Sequence, residues 1–460
     1  MGVGAKTRYR LSRGLCLGRT GRRARHAGRQ AFMKVEVEQE TVLPELKIVV
    51  RRVGDIGEGL LELVPNPEGV SSWRGRDTEI VGWGTALELE FIGRHAAREA
   101  ARVWDRLSAA TEVTVLDVNG DPVDDYEGLE EGLHWPLALG SFGFAASTPG
   151  YLVVPEVTVI RHKDDFWVVT ASAEETPRDA IAALNDAKQP WTKPTGLWTD
   201  PGRMTQSKWK EAVRHLIVML QSGAASKVVL TRDLLVSASQ PLDERYVLDA
   251  LQRRYPTTWV YSVKGLIGAT PEMLASLRNE QFVSRVLAGT SAPGEGEDLL
   301  SSMKNRTEHH LAVESVARAV APLSESLDIP TDPNLLELPN VTHLSTDVRA
   351  VVKDSNVLDI VDALHPTAAV CGTPTNLAYS ILENIEGTQR GRYSGPVGWI
   401  DGSGDGDFGI ALRCGQLSED REQIRVFAGG GIMPDSVPDL ELAETRAKMR
   451  PLLEVLELER

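Results

Sequence analysis

Two hydrophobic periods run through this chain. Trp209, Val213, Leu216, Ile217 and Leu220 recur at i, i+4, i+7, i+8 and i+11, which predicts an amphipathic helix over 208–221, ended by Gly223. Helical spacing also covers 97–107, and 304–323, where Ala312, Val316, Ala319 and Leu323 share one face. Strand-like runs fall at 86–91, 166–169, 226–236, 259–263, 273–277, 397–400 and 408–414, the last two joined by DGSGDGD. Another strand over 423–428 runs into Gly429–Gly431, and from Leu440 a closing helix is expected, interrupted at Pro451. Strands and helices without strict alternation predict an α+β fold of antiparallel sheets with flanking helices. The stretch 188–201, with Pro190, Pro194 and Pro201, marks a boundary between a lobe over 35–200 and a region over 201–460.

Charge divides the chain differently. The 460 residues carry a net charge of −15, yet residues 1–34 hold ten Lys and Arg and no acid. The remainder therefore carries 40 basic against 65 acidic residues, a net of −25. Such a body has no basic surplus for nucleic acid. No apolar run approaches the roughly 18–20 residues that span a bilayer. Three dispersed cysteines, Cys16, Cys371 and Cys414, give no disulfide framework and suit a reducing cytoplasm. Residues 1–34 read as a basic extension ahead of a start near Met33. An organellar targeting peptide is the alternative, weakened because Ser12 is the segment's only serine.

Several motifs have bland readings. Asp401, Ser403 and Asp405 match the start of a calcium loop, but position twelve is Leu412 rather than a glutamate, so a polar hairpin turn is expected. His309 and His310 are adjacent on a helix and point apart. The glycines at 429–431 lack the GxGxxG of a dinucleotide site. Glu441, Glu444 and Lys448 share a helix face that reads as a salt-bridged surface, and Lys227 reads as a solvated strand edge. Glu308, on another helix, could join Glu444 around Mg2+, although periodicity does not show that they meet.

Nine segments change that balance: SKVVLTR, GATPEMLASL, LAGTSAPG, KNRTEHHLAV, LHPTAAVCGTP, RGRYSGPVGW, IALRC, FAGGGIMPDS and ELAETRAKM, in this order. Together they resemble the chorismate-utilising enzymes, and within them the isochorismate synthases of menaquinone and siderophore type. The resemblance spans about residues 205–456, with the N-terminal half as the more variable lobe. It implies an α+β sandwich of large antiparallel sheets with the active site in a cleft.

The resemblance also implies roles. Lys227 matches the general base and Glu272 the general acid, while Glu308 and Glu444 match the magnesium ligands, with Glu441 close by. Gly289, Thr290, His365, Tyr393, Arg413, Gly429, Gly430, Gly431 and Lys448 match substrate contacts. The substrate, chorismate, is a dianion, which suits an arginine fork and close glycine amides. The reaction implied is water attack at C2 with loss of the C4 hydroxyl. It needs a carboxyl kept protonated and a lysine able to accept a proton. Ammonia-using relatives usually carry Gln at the Lys227 position, so no glutaminase subunit is expected, and a monomer is the default. Salicylate synthases, which keep this lysine and go on to eliminate pyruvate, are the alternative branch. Two departures stand out: AGGGI replaces the family's AGAGI, and LAGTSAPG lacks the arginine that often follows GT.

Overall fold

A computed structural model describes residues 33–36, 43–57, 59–123, 133–291, 293–338, 341–386 and 390–458. The basic extension over 1–34, apart from Met33 and Lys34, lies outside the described residues. The described strands form an 11-stranded and a 13-stranded sheet. Pairing is mostly antiparallel. Parallel pairs occur at sheet edges, between Met33–Glu36 and Leu87–Phe91 and between Lys47–Val53 and Glu112–Leu116.

Both sheets draw strands from both halves of the sequence. Leu137–Ser141 pairs with Pro396–Asp401 in one, and Ser71–Arg74 pairs with Trp259–Val263 in the other. The main core holds the fully buried Trp73, Trp104, Trp209 and Trp399. A second cluster contains Val247, Leu248 and Leu251 of the helix Glu244–Arg254 and Leu452 of the closing helix Pro438–Val455. Helix Ala96–Ala110 turns Ala97, Ala100, Trp104 and Leu107 inward, and Trp104 Nε1 donates to the Asp401 carbonyl at 2.6 Å. Asp401 Oδ1 in turn accepts from Ser403 and Asp405, so the calcium-like spacing is the expected polar turn.

Most expected elements form close to their sequence bounds, among them Gln206–Gln221, Lys227–Ser237 and Met303–Val320. Two expectations need correction. The run 408–414 is not one strand. Gly406–Ile410 belongs to the 11-stranded sheet and Cys414–Leu417 to the 13-stranded sheet, so the chain changes sheets between them, with Arg413 at φ +50°. Nor does Pro451 interrupt the closing helix, which runs through it to Val455. Burial of Met449, Pro451, Leu452 and Leu453 holds that turn despite the missing N–H.

A second crossing runs the other way. Leu266–Thr270 lies in the 13-stranded sheet and Met273–Arg278 in the 11-stranded sheet, with Glu272 on the connection. The two crossings are laced together: Ile410 N donates to Glu272 O at 3.1 Å and Ala269 N to Arg413 O at 3.3 Å. Changing sheets is what places Glu272 and Arg413 side by side.

Candidate active site

A cavity of about 360 Å³ opens where these crossings meet the two helices Met303–Val320 and Pro438–Val455. Lys227, Glu272, Gly289, Thr290, Glu308, Tyr393, Arg413, Gly429, Gly431, Glu444 and Lys448 all line it. Gly430 does not; an added Cβ there would lie 3.1 Å from Glu441 Oε2, a side chain that itself lines the cavity. His365 is also outside the lining. It packs edge-on against Phe144 at 5.9 Å, and burial pushes its imidazole down to about 4.

Each wall has a local cause. Lys227 begins the strand Lys227–Ser237, which pairs with Gln423–Ile432 in a register that sets Val229 opposite Gly431 and Thr231 opposite Gly429. Bare glycines leave room for the lysine side chain. A Cβ on Gly431 would fall 2.6 Å from Lys227 Cε. That neighbour is flexible, so Gly431→Ala is expected to fold with a melting temperature near the parent's. Its displaced lysine should cost roughly 10²-fold in turnover, checked by steady-state kinetics beside a thermal melt.

Gly289, at φ +79°, makes a bulge between Ala288 and Thr290 in the ladder with Val341–Val352. The bulge turns Thr290 towards His343, with Thr290 Oγ1 and His343 Nδ1 3.0 Å apart. His309 anchors the neighbouring helix through Thr346 Oγ1 at 2.7 Å and the Ala288 carbonyl at 3.2 Å, leaving Glu308 facing the cavity. Tyr393 is buried and stacks on Phe427 at 5.2 Å. Burial pushes its phenol up to about 12, so it remains a donor.

The electrostatics separate the carboxyls. Burial pushes Glu272 up to about 8, against the opposing fields of Lys227, Arg413 and Lys448. Glu444 goes the other way, because the Lys448 ammonium beside it holds it below the usual carboxylate range. At neutral pH one glutamate is a proton donor and the other an anion. Lys227 is ion-paired with Glu308, and Lys448 pairs with Glu444 while donating to the Gly429 carbonyl at 3.0 Å. The salt-bridged reading of the closing helix is thus true of Glu444 and Lys448, yet the pair lines the cavity. Among the described residues the Arg413 guanidinium is tied to no carboxylate and lines the same cavity.

His343 is a site residue that sequence reasoning missed. Burial, helped by Arg413 and Lys448, pushes it down to about 3, so it is a neutral imidazole at the wall. A strand assignment over 341–352 alone would have set it opposite Gly289, and it is the bulge there that brings it opposite Thr290. Asn305 and Ser394 also line the cavity without having been singled out.

Among the described residues no three His, Cys, Asp or Glu side chains form a ready-made metal cage. Glu308 and Glu444 nevertheless fit Mg2+. Both are carboxylates on one cavity, each already draws a cation, and Mg2+ keeps several waters and needs few protein oxygens.

Cationic groups, a protonated carboxyl and the acidic residues Glu308, Asp435, Glu441 and Glu444 around one cleft make up the active site of an enzyme. The chain belongs to the chorismate binding enzyme family, whose sequence pattern it matches over residues 71–457. It is 31% identical over 422 residues to a salicylate biosynthesis isochorismate synthase of Pseudomonas aeruginosa, covering 84% of each chain. It is 34% identical over 348 residues to isochorismate synthase DhbC of Bacillus subtilis, covering 71% of this chain and 82% of that one. The structure of the menaquinone-specific isochorismate synthase MenF of Escherichia coli superposes with a TM-score of 0.72 at 22% identity, covering 90% of this chain and 95% of that one, and shares the fold.

Proposed function

We propose that this protein is a magnesium-dependent isochorismate synthase that interconverts chorismate and isochorismate. The observation that carries this reading is a lysine and a buried, protonated glutamate on the walls of one cavity, Lys227 and Glu272. Lys227, as the neutral amine once the proton it directs at Glu308 has left, takes a proton from the water that attacks C2, and Glu272 gives one to the hydroxyl that leaves C4. The Arg413 fork and Lys448 bind the substrate carboxylates, helped by backbone amides of the glycine strand. Tyr393 and Thr290 orient the ring. Glu308 and Glu444 are the residues that would hold Mg2+, which supplies neutralisation of a carboxylate and electron withdrawal from the ring when bound. Water is the nucleophile in this reading, so neither ammonia nor a glutaminase subunit is needed. The region over 201–460 carries the chemistry, and the lobe over 35–200 completes the sheets that support it.

The test is to incubate the protein with chorismate and Mg2+, without ammonia, and separate the products by chromatography. Isochorismate is expected. Salicylate with pyruvate as the main products would move the assignment to the lyase branch, and turnover only with ammonia would move it to the amination branch. Glu444→Ala should raise the Mg2+ needed for half-maximal rate by at least about tenfold, since even an outer-shell loss costs that much. An unchanged metal titration would remove Glu444 from the metal site.

A further inference from the structure

The strand that carries Lys227 has an unusual edge. On one side it pairs continuously with Gln423–Ile432. On the other, Gly372–Thr373 covers only Lys227 and Val228, and Trp198–Pro201 covers only Leu234–Ser237. Between these short partners, Val229 and Thr231 turn their backbone groups outward with no strand beside them. Val229 N donates to the Cys371 carbonyl at 2.9 Å. The other three groups are met by side chains. Arg390 Nη2 donates to Val229 O, Glu386 Oε1 accepts from Thr231 N at 2.7 Å, and Trp209 Nε1 donates to Thr231 O at 3.1 Å.

Arg390 and Glu386 are 3% and 4% exposed, so water does not satisfy this edge for them. They hold each other in a fork, with Arg390 Nε on Glu386 Oε2 at 2.6 Å and Nη2 on Oε1 at 3.1 Å. Arg390 Nη1 reaches a third wall, donating to Val370 O at 2.7 Å, and its guanidinium lies 4.0 Å from the Phe144 ring centre. Three residues further on is Tyr393. One guanidinium therefore joins the Lys227 strand, the Ala369–Val370 loop and the segment leading to Tyr393, all of which line the cavity. Arg390 does not itself line it.

We propose that Arg390, held by Glu386, is a positioning residue that replaces a missing β-strand and fixes Lys227 and Tyr393 relative to each other. It acts through the backbone and touches no substrate. The inference rests on the isochorismate synthase reading for its kinetic consequence, though the structural consequence stands apart from it. Lysine at position 390 keeps the charge beside Glu386 but cannot supply donors in three directions.

Arg390→Lys is expected to lower kcat at least about tenfold, because small misplacements of a catalytic group are costly. The dissociation constant of a non-reacting cyclic dicarboxylate should stay within about threefold, since Arg413 and Lys448 lie outside the network. Amide hydrogen exchange over 227–231 should become faster. Trp209→Phe removes one donor from the same edge and keeps an aromatic ring in the core, at the cost of some buried volume. It should shift kcat and exchange in the same direction by less, which covers the case where Arg390→Lys does not fold. Full kcat with unchanged exchange in a folded variant would overturn the proposal. So would kcat and ligand binding falling together in step with a lowered melting temperature, which is the mark of a merely structural role. Absence of chorismate turnover in the unaltered protein would instead refute the functional reading, and the exchange data would still judge the strand replacement.

Discussion

Lys227→Ala is expected to lower chorismate turnover by on the order of 10²–10⁴-fold, the range a positioned general base supplies. Lys227 lines the cavity beside Val229 and Gly431, and Glu308 holds its ammonium. Alanine removes the proton acceptor while leaving Arg413 and Lys448 to bind the dianion. Substrate affinity should thus change far less than kcat. The Glu308 carboxylate, released from its lysine, should bind Mg2+ at least as well as before. Steady-state kinetics with a calorimetric metal titration check both halves, and activity within a few-fold of the parent would show that the base lies elsewhere.

Glu272→Gln should be as damaging by a different route. The amide keeps the shape and neutrality of the buried acid but has no proton to give the departing hydroxyl. Burial holds this carboxyl protonated up to about pH 8. The free protein should therefore lose kcat/KM as pH rises through about 8, on the alkaline side of its profile. Stability carries the same signature. The folded state retains the Glu272 proton above the ordinary carboxylate value, so it binds more protons than the unfolded chain. The parent should lose stability relative to the Gln variant as pH rises from about 4.5 to about 8, and the difference between them should be independent of pH below that window. Thermal melts across this range read the effect directly. A Gln variant with parental turnover would remove Glu272 from the chemistry.

Much of this was legible in the sequence because it is local. The stripe from Trp209 to Leu220 gives its helix, and the i, i+4 spacing of Glu444 and Lys448 gives their pair. Nine ordered segments then supplied the site residues. What the sequence left open depends on contacts between distant segments. The run 408–414 is uniformly strand-like, and nothing in its pattern says that the chain leaves one sheet for the other at Arg413. His343 was hidden because its place opposite Thr290 depends on a bulge at Gly289. Gly430 belongs to the same motif as Gly429 and Gly431, yet only those two neighbours line the cavity. Arg390 lay inside a quoted segment, RGRYSGPVGW, yet its part in the fold is visible only as a gap between two short strands.

The acidic body, at −25 over residues 35–460, is at odds with a dianionic substrate if charge is averaged over the surface. The cavity lining does not reverse this by count, since Arg413, Lys227 and Lys448 stand beside Glu308, Asp435, Glu441 and Glu444 with Glu272 neutral. Because Lys227 and Lys448 are paired with Glu308 and Glu444, the dianion would be met by the Arg413 fork and by Mg2+ on those two glutamates.

The central claim is that a water molecule replaces the ring hydroxyl. It is tested most directly by running the reaction with Mg2+ in water enriched in oxygen-18 and reading the product by mass spectrometry. The account predicts isochorismate about two mass units heavier, with the label on the C2 oxygen, as attack by one solvent water requires. Isochorismate formed without label would contradict it, because the hydroxyl would then have moved within the substrate and Lys227 would have no water to activate.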